Sequence, residues 1–138
     1  MRNKNLLVFI FLFSIANYAL CQVNFENNIA KNRITNTSGA KNISRTFLLS
    51  ADSIENIISG FEKDVWTIVA LKITVALDTV DYSEYNLTGN KLTPEIKSRI
   101  KSAAPGSLLF FEGIHGRMKN SHDLSTRAFP YSSYFITD

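Results

Sequence analysis

A chain of 138 residues, 45% hydrophobic and 20% charged, is long enough for one core and too short for two ordinary domains. Its formal charge of +3 comes mostly from one end: residues 1–21 hold Arg2 and Lys4 and no acid, and without them 13 basic residues face 12 acidic ones. The remaining Lys and Arg are scattered rather than gathered into a basic stripe, which removes the footprint of a nucleic-acid binder, and the single cysteine, Cys21, excludes a disulfide framework.

The chain begins with a basic head, Arg2 and Lys4, followed by an apolar run over residues 6–15. That run is about ten residues long against the roughly 20 a membrane-spanning helix needs, so the layout predicts a cleaved export signal rather than an anchor. Ala19 and Cys21 are the small residues at −3 and −1 of a cut before Gln22, which assigns 1–21 to a Sec signal peptide and places the protein in the bacterial periplasm or at the cell surface. Lipidation at Cys21 is the less favoured alternative, because Leu20 stands where a lipobox carries a small residue.

Residues 22–45 are rich in Asn and Ser with apolar residues at no clear period, and they read as a polar flexible arm. The Asn-x-Ser/Thr triplets at Asn36, Asn42 and Asn86 follow from the Asn-rich composition. Residues 46–138 form the expected domain. Residues 45–49 suggest a short strand; Ser50 then offers an N-cap to a helix whose apolar positions, Ile54, Ile57, Ile58 and Phe61, share one face, with Gly60 as its stop.

Over residues 65–77 the alternation is of period two. Val65, Thr67, Val69, Leu71, Ile73, Val75 and Leu77 fall on one face, expected to be inward; Trp66, Ile68, Ala70, Lys72, Thr74 and Ala76 fall on the other. Residues 78–90 read as a polar loop with a short extended piece near 85–87. Thr93 caps a second helix that has Pro94 at its first position and Glu95 in its first turn, with Ile96, Ile100 and Ala103 on its buried face and Pro105-Gly106 as its stop.

Residues 108–114 are a compact apolar run expected to be buried on much of both faces, with Gly113 marking a bulge or a close backbone approach. A polar turn over 116–125 follows, then a last aromatic strand over 128–136. There Pro130 cannot donate to a ladder, so the strand is expected to lie at an edge or to be irregular. The elements add up to a mainly β, α+β domain: a β-sandwich with two short helices.

Three blocks of this sequence together resemble the C-terminal domain of the gliding-motility protein GldM of Bacteroidetes. They are Gly89-Asn90-Lys91-Leu92-Thr93, the stretch from Ile100-Lys101-Ser102 through Pro105-Gly106-Ser107, and Phe110-Phe111-Glu112-Gly113-Ile114. The resemblance covers roughly residues 47–138 and implies an immunoglobulin-like β-sandwich. It also implies protein binding without catalysis, with an envelope partner such as a component of gliding motility or type IX secretion. The sequence departs from the family at His115-Gly116-Arg117-Met118-Lys119-Asn120, where a Gly-Pro-Asp-Gly type of turn is usual.

Chemistry-bearing groups are sparse. His115 and His122, with Glu112 and Asp123, follow no familiar ligand spacing, so no metal or other cofactor is expected. There is no Gly-x-Ser-x-Gly elbow and no phosphate-cradling loop, and no catalytic residue is assigned. The aromatic residues have the better claim to function, since Tyr and Trp near a sheet edge are favoured interface anchors. Trp66, Tyr131 and Tyr134 are therefore the expected protein-binding residues. The alternative is a small-ligand or glycan-binding module that uses exposed aromatics; an enzyme would require His115 or His122 to face a buried carboxylate in a concave pocket.

Overall fold

The period-two alternation around residue 70 produces the central strand on which the other elements are assembled. In the computed structural model, which describes residues 39–78 and 80–138, it is strand β2 (Trp66–Ala76). The other strands are β1 (Lys41–Ser44), β3 (Tyr82–Thr88), β4 (Leu108–Met118), β5 (Arg127–Phe129) and β6 (Ser132–Thr137). Helix α1 spans Arg45–Ser50 and helix α2 spans Pro94–Ser102, with a 3-10 turn at Ile54–Asn56. Residues 1–38, where a signal peptide and most of a polar arm are expected, lie outside the described residues.

The strands form one open mixed sheet in the order β1-β6-β4-β2-β3, with β5 also on β4. Only the β1–β6 pair is parallel. The domain is mainly β with α+β character, as expected. Its sandwich-like layering has this sheet as one layer and the two helices with the 3-10 turn as the other. Between them lies a single cluster in which Leu48, Ile54, Ile57, Ile96 and Ile100 meet Ile68, Ile73, Phe111 and Ile114. The helical layer is tied internally: Arg45 Nη2 donates to Ala103 O at 2.7 Å and Lys97 Nζ to Leu49 O at 3.1 Å.

Helix α2 forms as its sequence dictates. Thr93 Oγ1 accepts from the Ile96 N–H at 3.4 Å, Pro94 occupies the first turn, and Ile96 and Ile100 are fully buried. The segment before it differs from expectation. Residues 41–44, assigned to the arm, are a strand; residues 45–49, expected to be extended, lie in the helix Arg45–Ser50, with Ser44 rather than Ser50 as the N-cap. Ile54, Ile57 and Ile58 are buried as one stripe, but the backbone is a 3-10 turn followed by turns instead of a continuous helix. The reason is tertiary: the Ile54 N–H is taken by Asn90 O at 2.7 Å, and the Glu55 side chain is pinned to β2.

Two compensating bulges explain the register of the central pair. Between Ile68/Gly116 and Ala70/His115 the extra residue is on β2; between Ala70/His115 and Lys72/Glu112 it is on β4, around Gly113, whose φ of 54° is left-handed. A bulge at Gly113 was one of the two readings of that glycine. The bulge on β2 reverses the alternation at Val69. Ile68, expected on the outer face, is 2% exposed in the core, while Val65, expected inward, is 45% exposed.

Two further segments are more extended than their composition suggests. Residues 82–88, expected to be mostly loop, form all of β3 along residues 70–76 of β2, and Tyr85 and Leu87 alone supply its core-facing apolar side. The turn into it is held by Asp78, whose Oδ1 accepts from the Val80 and Asp81 N–H groups at 2.7 Å each. The Asp81 and Val80 amides also lower the Asp78 pKa. Strand β4 runs on to Met118, through three residues expected to lie in a turn. Residues 108–111 are buried throughout, as expected of a strand covered on both faces.

Candidate functional site

Beyond Phe129 the chain cannot continue its ladder at Pro130, so the last strand divides into β5 and β6, both antiparallel to β4. Alongside this break is a groove of 350 Å³. One wall is the turn at residues 58–61, the other the consecutive residues 129–134, and Lys41 stands at the start of β1. The turn is anchored by Tyr134, whose hydroxyl donates to Ile57 O at 3.0 Å and accepts from the Ser59 N–H at 2.8 Å. Lys41 Nζ donates to Ser59 Oγ at 2.9 Å. Gly60, at φ 80°, allows the reversal that returns Phe61 to the groove.

The aromatic residues meet here. The Phe129 ring lies 4.9 Å from Phe61 and 5.4 Å from Trp66, the latter edge-on, and the Arg127 guanidinium stands 5.4 Å from the Phe129 ring and 5.7 Å from the Trp66 ring. The arrangement depends on Gly116: a Cβ there would stand 2.7 Å from Phe129 Cε2. Gly116→Ala is expected to push the Phe129 ring out, to destabilise the fold by about 1–2 kcal/mol and to shift the emission of Trp66, the only tryptophan. Thermal denaturation and fluorescence spectra of the variant check both.

The three residues expected to bind protein are thus brought to one region in different roles. Tyr131 is 68% exposed at the rim. Tyr134 is 4% exposed and packs edge-on against Phe111 at 6.0 Å, so it shapes the groove from within the core. Trp66 is half-buried behind Phe129.

Sequence reasoning passed over Arg127, Gly116 and Lys41, which acquire their setting only from pairing across the sheet. It also passed over Glu55, which is 6% exposed. The Glu55 carboxylate accepts from the Ile68 N–H at 2.8 Å, from Thr67 Oγ1 at 3.0 Å and from Asn90 Nδ2 at 2.9 and 3.0 Å. Burial raises its pKa, and the hydrogen bonds from Ile68, Asn90, Ser53 and Thr67 outweigh that and hold it below the usual carboxylate value. A carboxylate so bonded ties the turn at Ile54–Asn56 to β2 and to Asn90.

Other described ionisable groups lie outside the groove. His115 and His122 are exposed. Lys72 pairs with Glu84 at 3.2 Å and with Glu112 at 3.3 Å. Asp123 accepts from the Ser125 N–H and hydroxyl, which lower its pKa. Among the described residues no three His, Cys, Asp or Glu side chains come together as metal ligands, and no helix is long and apolar enough to cross a membrane. The groove lining carries neither a carboxylate nor an imidazole, so it presents hydroxyls, rings and one ammonium group. It can hold a ligand; its ionisable groups are Lys41, which donates to the Ser59 hydroxyl, and the phenols of Tyr131 and Tyr134, the latter engaged with the turn.

No family model matches the chain, and no curated protein is similar to it at a significant level.

Proposed function

We propose that the protein is a non-catalytic protein-binding module of the bacterial envelope, and that the groove beside Pro130 is where its partner docks. The observation that carries this reading is the grouping of exposed Tyr131, the Phe61–Phe129–Trp66 cluster and Arg127 along an interrupted strand. Aromatic residues and arginine at a partly desolvated site are the residue types that dominate interface energetics. The leader-like first 21 residues support export, and the likeness of residues 47–138 to the GldM C-terminal domain supports an envelope partner linked to gliding motility or type IX secretion.

A small-ligand or glycan-binding module is the second reading. It is favoured by the volume of the groove and by the hydroxyls of Ser59, Ser132 and Ser133 in its lining, since pockets of this size and mixed polarity take small molecules. Tyr131→Ala separates the two. On the protein-binding reading, affinity capture from envelope extracts recovers a defined set of proteins with the parent chain, and the variant loses them by about tenfold or more, the usual effect of truncating a central aromatic anchor. Recovery of no protein, together with Tyr131-dependent retention on a glycan array, would transfer the site to the second reading.

A further inference from the structure

Among the described residues, the sheet has a gap in the line of β1. The parallel ladder of β1 on β6 begins at Lys41 opposite Tyr134, and Gly39, at φ 94°, breaks the extended path just before it. Further along the same side, β5 and the first residues of β6 pair with β4, and no described strand lies on their other edge. The groove occupies this gap. Because six consecutive residues, 129–134, line it, it exposes main chain as well as side chains. Arg127, Ala128, Pro130 and Tyr131 are all exposed.

The charge around the gap is one-sided. Lys41 Nζ is held only by the Ser59 hydroxyl, and the Arg127 guanidinium faces rings; among the described residues neither has a carboxylate partner, and no acid lines the groove. The arm preceding Gly39 is a poor match for this site, because residues 22–38 carry Lys31 and Arg33 against Glu26 alone. From these observations we infer that the edge at residues 127–133 accepts one extended, acidic segment of a partner protein as an added strand in line with β1. An apolar side chain of that segment enters between Ile58, Phe61 and Phe129, and its carboxylates lie against Lys41 and Arg127. Main-chain hydrogen bonds supply the affinity and the side-chain pocket the selectivity, as in other strand additions. The inference rests on the protein-binding reading of the groove and specifies its partner.

The test is selection of a random dodecapeptide display library on the purified protein, followed by synthesis of the recovered peptides. The expected result is enrichment of Asp or Glu beside an aromatic or β-branched residue, with slowed exchange of amides on either side of Pro130, within residues 128–133, when peptide is bound. Both N-methylation of alternate peptide amides and the surface substitution Arg127→Glu should weaken binding by about tenfold or more. Enrichment of basic or proline-rich peptides, or binding that leaves exchange at 128–133 unchanged, overturns the inference. If no peptide is recovered while Tyr131→Ala still loses its proteins from extracts, strand addition is wrong and protein binding stands; if both fail, the two fall together.

Discussion

Phe111→Ala is expected to cost about 3–5 kcal/mol, the range for truncating a fully buried phenylalanine. Phe111 has no solvent exposure, sits opposite Ile73 and Ser132 in the middle of the sheet, and packs edge-on against Tyr134. It stands where β2, β4 and β6 meet the helical layer, so the cavity left behind has walls held on several sides and little freedom to collapse. For a unit of this size, with a total stability of roughly 5–15 kcal/mol, that loss is a large share. Urea denaturation measures it; a loss below about 1 kcal/mol would mean that this position is not the centre of the core. Tyr134→Phe, by comparison, keeps the ring and removes only the bonds to Ile57 O and the Ser59 N–H.

Glu55→Ala is expected to cost about 2–3 kcal/mol, because it leaves the buried Ile68 N–H and the partly buried Thr67 hydroxyl and Asn90 amide without their acceptor. Glu55→Gln is milder. It retains one acceptor oxygen but turns an amide group towards the Asn90 amide. The two variants differ most usefully with pH. The carboxylate has a folded-state pKa below its ordinary value, so its contribution is complete above the unfolded value of roughly 4.3 and is lost as pH falls through the lower folded one. Denaturation midpoints of the parent chain should therefore drop more steeply than those of Glu55→Gln as the pH falls below the ordinary carboxylate range. Parallel pH curves for the two proteins would remove Glu55 from this role.

The consequences of these substitutions differ in how far they were visible beforehand. That Phe111 is buried follows from the run Leu-Leu-Phe-Phe, since a strand so apolar has no water-facing side. Glu55 gave no such sign. Within the sequence it is an acid between Ile54 and Asn56, and its partners lie 12, 13 and 35 residues away. The same distinction holds for the groove. Pro130 announced the interruption of the last strand, because the missing N–H is a property of the residue itself. Arg127, Gly116 and Phe129 became neighbours only through pairing of β4 with β5.

What the sequence determined by itself was local and periodic. Thr93 and Pro94 start α2, Ile96 and Ile100 turn one face inward, residues 66–76 are extended, and Gly113 marks a bulge or a close backbone approach, each because backbone preference and side-chain alternation act over a few residues. The tertiary structure decided the rest. It selected helix rather than strand for residues 45–49, reversed the face of Trp66 and Ile68 through a bulge at Val69, and recruited 41–44 and 82–88 into the sheet. In each case the local preference is worth a few tenths to one kcal/mol, and burial of side chains such as Leu48 and Ile68, or one more satisfied ladder, outweighs it.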